Sequence, residues 1–278
     1  MIKTFLCTGD IHGSLERFYP SNFTVANPKT TGIIILGDSG FNYDLGARDA
    51  KMKHEASLMS FTFYCVRGNH EARPQDIADM RLTYDPDVQG NVYYEPNYPN
   101  IRYFLDGGFY TIGSKKTLVL GGAYSIDKEF RLMRHWPWFA NEQLNEDERA
   151  HIMDCITDYY ADGNRIDLVL SHTAPVENEP VEMFLDFIDQ SKVDKSMEVW
   201  LQDVKSKLVD YPYFWLFGHY HADLIMADNV AMLYEKIIDI EAIDDFSNPY
   251  VEMPEGFRLS HHYTYWREQR GLPLFLFL

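Results

Sequence analysis

The sequence predicts an α/β fold, and three observations carry that expectation. Short apolar runs without a polar break, such as Gly32-Ile33-Ile34-Ile35-Leu36, suit strands buried on both faces. Stretches of helical composition near 48–60, 144–161 and 194–209 alternate with them. Most of the buried-type strands end in a polar cluster, and open α/β sheets gather functional groups at the carboxyl ends of their strands. With 278 residues, 46% of them hydrophobic, the chain can bury a large core; it reads as one domain over 1–278, with 245–278 as an aromatic-rich extension packing on it or on a neighbour.

Taken in order, residues 2–8 form a first strand that stops at Gly9-Asp10-Ile11-His12-Gly13. Asp and His at i and i+2 of an extended segment point to the same side, which makes Asp10 and His12 a candidate metal-ligand pair. The strand at 32–36 ends in Gly37-Asp38-Ser39-Gly40. A helix at 48–60 leads into a strand at 61–66, which ends in Arg67-Gly68-Asn69-His70-Glu71. Turn-rich sequence at 84–87 and 95–100 frames short meander strands near 101–105, 109–112 and 116–120. The stretch 121–138 then concentrates Lys128, Arg131, Arg134, His135, Trp136 and Trp138.

A helix near 144–161 takes Asn145 as its N-cap with Glu148 three residues on, and Gly163 lies just past its end. The strand at 166–170 ends in Ser171-His172. Met197, Val199, Trp200, Val204 and Leu208 recur at roughly helical spacing over 194–209. A strand at 213–217 runs into Gly218-His219-Tyr220-His221, and β segments at 230–234 and 236–240 close the regular part.

Composition narrows the function. Forty-two acidic against 25 basic side chains give a net charge of −17, which opposes binding to nucleic acid or an anionic membrane. Cys7, Cys65 and Cys155 show no C-x-x-C spacing, so the chain is read as thiol-bearing and cytoplasmic, with neither a disulfide scaffold nor a zinc ribbon. No apolar run approaches the roughly 18 residues that span a bilayer, and no signal-peptide pattern opens the chain.

In order, GDIHG (9–13), GDSGF (37–41), GNHE (68–71), SHTAP (171–175) and GHYH (218–221) resemble the motif series of the calcineurin-like metallophosphoesterase superfamily. The resemblance implies a four-layer αββα sandwich of two mixed β-sheets flanked by helices, with the site at one edge of the sheets. It implies two divalent metal ions: Asp38 bridges both, Asp10, His12 and His221 complete one site, and Asn69, His172 and His219 complete the other. Oxygen and imidazole ligands suit Mn²⁺, the first choice, or Fe or Zn²⁺. His70, beside Asn69, resembles the family's histidine that stabilises the transition state or protonates the leaving oxygen.

The second motif departs from the family's G-D-x-x-D-R: Phe41 and Asn42 stand where the aspartate and arginine are usual. Phosphate then needs another cation, for which Arg131 is the candidate alongside Asn69 and His70, and His70 needs another orienter, for which Asp44 is the candidate. Arg67 is read as structural support. The expected function is hydrolysis of phosphomonoesters by metal-activated hydroxide, in the manner of protein Ser/Thr phosphatases, on a phosphorylated small molecule or phosphoprotein. The alternatives are a phosphodiesterase acting on nucleotides or cyclic nucleotides, and a non-catalytic metal-binding scaffold.

Overall fold

The run Gly32–Leu36 feeds two different cores. Ile34 and Leu36 pack into one apolar cluster while Ile33 and Ile35 pack into another, as side chains alternating across a two-sided strand must. In the computed structural model, which describes residues 1–184, 189–208, 212–227, 229–243 and 251, this pattern organises the whole chain.

The elements follow as β1 (Thr4–Thr8), β2 (Thr31–Ile35), α1 (Ala47–Leu58), β3 (Thr62–Cys65), β4 (Arg81–Asp85), β5 (Gly90–Tyr94), β6 (Ile101–Phe104), β7 (Gly108–Ile112) and β8 (Lys115–Leu120). Then come α2 (Lys128–Arg134), α3 (Glu146–Ala161), β9 (Leu168–Ser171), α4 (Ser196–Lys207), β10 (Phe214–Phe217), β11 (Leu224–Ala227), β12 (Val230–Met232) and β13 (Ile237–Asp239). One sheet runs β13-β1-β2-β3-β6-β5-β4 and the other β11-β12-β10-β9-β8-β7. Both are mixed: β1, β2, β3 and β6 pair in parallel, as do β8, β9, β10 and β12, while the outer strands pair antiparallel.

Three apolar clusters define the layers. Phe5, Ile34 and Tyr64 of one sheet meet Leu168, Leu170 and Leu216 of the other in the central core. Met52 and Ala56 of α1 cover Ile33, Ile35 and Phe63. Ile152 and Ile156 of α3, with Trp200 and Val204 of α4, cover Val169 and Trp215. The result is the expected αββα order.

Register places the strand ends together. Thr8 pairs with Ile35 and Ile35 with Cys65. In the second sheet Leu120 pairs with Ser171 and Leu170 with Leu216. The loops that follow these strands therefore leave the two sheets at matched levels, and they are stitched across: His172 Nδ1 lies 2.7 Å from the Leu36 carbonyl, and Gly122 N–H donates to the Arg67 carbonyl at 2.8 Å.

The capping of α3 follows the sequence: Asn145 Oδ1 accepts from Glu148 N–H at 2.9 Å, and Glu148 Oε2 accepts from Asn145 N–H at 2.8 Å. Other elements differ from expectation. The strands of the hairpin β4–β5 were not foreseen, only turn-rich sequence at 84–87, because Leu82 and Tyr84 of β4 are exposed and erase the alternation that marks a half-buried strand. Strand β11 and helix α2 were not foreseen either. Within α4, Val199 faces solvent whereas Met197, Trp200 and Val204 are buried. The extension 245–278 lies outside the described residues except for Val251, whose N–H donates to Ile237 O at 2.8 Å. Among the described residues no helix is long and apolar enough to cross a membrane, and Cys7, Cys65 and Cys155 are all free.

Candidate metal centre and active site

The loops leaving β1, β2, β3, β9 and β10 converge, and their backbones bend sharply to do so. His12 and Asp38 (φ +44° each), His219 (φ +70°) and His221 (φ +54°) all occupy the left-handed region that non-glycine residues rarely adopt. Two of the motif glycines are required by close approach. A Cβ on Gly68 would lie 1.9 Å from Asp38 Oδ1, and one on Gly218 would lie 2.3 Å from Asp10 Oδ1. Each carboxylate is thus seated against a strand-end glycine of a neighbouring loop, and each accepts an N–H just beyond that glycine: His70 N–H, two residues past Gly68, to Asp38 Oδ1 and His219 N–H, one residue past Gly218, to Asp10 Oδ1, 2.9 Å apiece.

Those bonds aim the other carboxylate oxygens inward. Asp10 Oδ2 is buried without a hydrogen-bond partner, 3.3 Å from His221 Nε2 and 3.7 Å from His12 Nε2. The two imidazole nitrogens stand 2.8 Å apart. Asp38 Oδ2 lies 3.8 Å from both His172 Nε2 and His70 Nε2, and His172 Nε2 is 2.8 Å from Asn69 Oδ1. The His219 ring sits 4.9 Å from that of His172. Two groups of potential cation ligands result, Asp10–His12–His221 and Asp10–Asp38–His172, each with ligand atoms within 4.8 Å of one another. The carboxylate common to both is Asp10, whereas the family resemblance implies Asp38 in the shared position; the other Asp38 oxygen is committed to His70 N–H.

The electrostatics ask for positive charge. Burial and the neighbouring Asp10 push the Asp38 carboxyl well above its usual range. Burial would raise Asp10 too, but His172, His221 and His12 hold it below the ordinary carboxylate range. Burial and the His221 charge drive His12 down to about 3, and burial with Arg131 drives His70 well below its usual value. Imidazole nitrogens, an unpartnered carboxylate oxygen and an amide oxygen form a donor set that fits a borderline divalent cation.

The calcineurin-like phosphoesterase family model matches residues 3–223, which takes in every one of these loops. The chain belongs to the calcineurin-like phosphoesterase family. It is a phosphoric-ester hydrolase of that family, with candidate ligand groups for the two divalent cations usual there. Among solved structures, the phosphopantetheinyl hydrolase PptH from Mycobacterium tuberculosis is similar at 14% identity and a TM-score of 0.42, covering 83% of this chain and 88% of that one. Another covers 91% of this chain and 98% of its own at 14% identity and a TM-score of 0.43. No curated protein matches the sequence.

The second-motif departure in this phosphoesterase has a structural explanation. Phe41 is fully buried in the layer under α1, edge-on to Phe63 at 6.1 Å, and Asn42 offers its carbonyl to Ala72 N–H at 2.9 Å. Asp44 is exposed and accepts from Gly46 N–H at 2.7 Å, so its carboxylate caps a turn of its own loop, and no hydrogen bond or ion pair joins it to His70. The group on His70 Nε2 is Arg131 Nη2, at 3.2 Å. Arg131 is itself 1% exposed, its Nε held by both Asp127 oxygens at 2.9 and 2.8 Å. The dense cationic segment 121–135 therefore does reach the site, through α2.

Two supports of the phosphoesterase site went unread in the sequence. Glu71 accepts from the Ser39 hydroxyl, from Gly40 N–H at 2.8 Å and from Gly68 N–H at 3.2 Å, tying the loop after β2 to the loop after β3. It stands inside GNHE, so its place in the motif was the available signal. Arg17 donates to the Asp10 carbonyl at 2.9 Å, to Thr8 Oγ1 at 2.6 Å and to the Tyr234 carbonyl, anchoring the loop after β1 from behind. Arg67 is structural as expected, bonded to Asp106 at 2.8 Å and to the Glu142 carbonyl at 2.6 Å.

Behind His172, Glu198 accepts from Thr173 Oγ1 at 2.9 Å while its Oε2 is buried without a partner. Burial raises this carboxyl to about 7 from an ordinary 4.5. A raised acid is penalised in the folded state as pH climbs from its unfolded pKa through its folded one, so the native protein loses stability between those values. Glu198→Gln is therefore expected to stabilise the protein by about 2–3 kcal/mol at pH 8 and to change little at pH 5; thermal unfolding at both values checks it, and an equal shift at each would contradict the assignment.

Proposed function

We propose that this phosphoesterase is a dinuclear phosphomonoesterase of protein Ser/Thr phosphatase type, acting on a phosphorylated small molecule or phosphoprotein, with Mn²⁺ as its first-choice metal and Fe or Zn²⁺ as alternatives. The observation that carries the reading is the unpartnered Asp10 Oδ2 facing the imidazole nitrogens of His221 and His12, with a buried guanidinium one contact away on His70. Asp10, His12 and His221 are assigned to one cation, Asn69, His172 and His219 to the other, and Asp38 to both. When bound, such a pair supplies Lewis acidity, acidifying water and drawing charge from phosphoryl oxygens.

The chain's own residues do the rest. Asp38, held by His70 N–H, keeps the two halves of the site in register. Burial and Arg131 hold the His70 pKa well below its usual value, and because a guanidinium can only donate, His70 Nε2 accepts from Arg131 and the neutral ring keeps its one N–H on Nδ1. Of the two candidate roles, donation of that N–H to a phosphoryl oxygen in the transition state fits better than delivery of a proton from an imidazolium. Arg131 places a buried guanidinium beside His70 in an otherwise acidic chain, standing in for the arginine missing at Asn42. The net charge of −17 favours a small or locally presented phosphate over a nucleic acid, and three free thiols fit a reducing, cytoplasmic setting.

The test is chelation followed by reconstitution with Mn²⁺ and assay on an aryl phosphomonoester, a phosphopeptide and a bis-aryl phosphodiester. Turnover of the monoester with little of the diester is expected. Diester-only turnover would favour the diesterase alternative, and fewer than one ion per chain with no turnover would favour the scaffold.

A further inference from the structure

Asn69 is the one amide among the proposed cation ligands, and an amide presents an oxygen on one edge and an NH₂ on the other. Only the oxygen can ligate. Something must therefore hold the amide so that Oδ1, 2.8 Å from His172 Nε2, points to the centre and Nδ2 points away.

The Nδ2 edge meets Ser125, a fully buried residue just beyond the end of β8, with Oγ at 2.8 Å. A hydroxyl has a single proton, and Ser125 Oγ also lies 2.5 Å from Glu142 Oε2. Glu142 is held in place as an acceptor: Ser125 N–H donates to Oε1 at 3.1 Å and the Trp138 indole N–H donates to Oε2 at 2.8 Å. Both of those N–H groups can only donate. With the serine proton drawn toward the carboxylate, Ser125 Oγ has only lone pairs left for Asn69, so it can receive Nδ2–H and cannot serve an inverted amide. The Glu142 backbone is fixed in turn by Arg67, which donates to its carbonyl at 2.6 Å.

We propose that Ser125 and Glu142 are positioning residues that set the direction of the Asn69 amide, so that this phosphoesterase presents an oxygen to one of its two cations. The chain of donors runs one way, from Asn69 to Ser125 to Glu142, with Trp138 completing the carboxylate. This assigns a task to part of the aromatic segment after β8, and it rests on the reading that Asn69 ligates a cation.

The test is Mn²⁺ titration of the wild type, Ser125→Ala, Asn69→Ala and the double variant, followed by calorimetry and Mn²⁺ electron paramagnetic resonance. Ser125→Ala is expected to weaken one of the two Mn²⁺ equivalents by about 10–100-fold, the usual effect of losing a partner that orients a ligand, and to leave the other unchanged. It should add no further loss in the Asn69→Ala background, because a residue acting through Asn69 has nothing left to act on. Unchanged affinity for both equivalents, or an equal loss with Asn69 absent, would overturn the proposal. If Ser125→Ala does not fold, Glu142→Ala takes its place: it frees the serine hydroxyl, and unchanged Mn²⁺ affinity there overturns the relay as well. A wild type that binds fewer than two Mn²⁺ would instead overturn the dinuclear reading on which this rests.

Discussion

Asp38→Asn is expected to lower kcat/KM toward a phosphomonoester by more than about 100-fold, a greater loss than removing a partner of a ligand brings, with the thermal midpoint of the metal-free protein little changed. The reason lies in the two oxygens' separate tasks. Asp38 Oδ1 accepts from His70 N–H at 2.9 Å, and Gly68 leaves no room behind it for a shift. An asparagine must keep its carbonyl on that N–H, since turning its NH₂ there would set donor against donor. Its NH₂ then occupies the place of Oδ2, facing His70 and His172, where an amide nitrogen cannot ligate a cation. Steady-state kinetics with metal analysis checks this; wild-type turnover by Asp38→Asn would remove Asp38 from the catalytic centre.

Arg131→Ala is expected to be the most destabilising single substitution near the site, costing about 3–5 kcal/mol, because it strands the Asp127 carboxylate where both partners are 1% exposed. Replacing both together, Asp127→Leu with Arg131→Met, should recover most of that loss, since neither charge is then left buried alone. Kinetics separate the structural role from the functional one. In the double variant KM for a phosphomonoester is expected to rise with cation content intact, because the positive charge beside His70 is gone. A restored thermal midpoint with unchanged KM would make the guanidinium a packing element only.

The candidate ligands were legible in the sequence because each follows an apolar strand and most sit next to glycine, two features that survive without any knowledge of pairing. What could not be read was how loops from different strands support one another. Ser125 is an ordinary residue type, and its meaning comes only from lying between Asn69 and Glu142. Arg131 was singled out by local cation density, yet its partner Asp127 one helical turn earlier drew no notice, because the short helix α2 carries exposed Leu132 and Met133 and no clear apolar face. Asp44 was chosen for proximity to the altered motif, but its exposed carboxylate is turned onto Gly46 N–H in its own loop. The β4–β5 hairpin was missed for the opposite reason, apolar side chains facing water.

The matched levels at which the two sheets release their loops also constrain how the protein is made. His12 and His221 touch across 209 positions of sequence, so no partial chain that ends before β10 can assemble the first ligand group. Closing so long a loop is entropically costly and comes late. During synthesis the emerging chain would therefore lack a complete cation trap until nearly the whole sandwich exists, and hydrolytic competence would arrive with the closing of the fold.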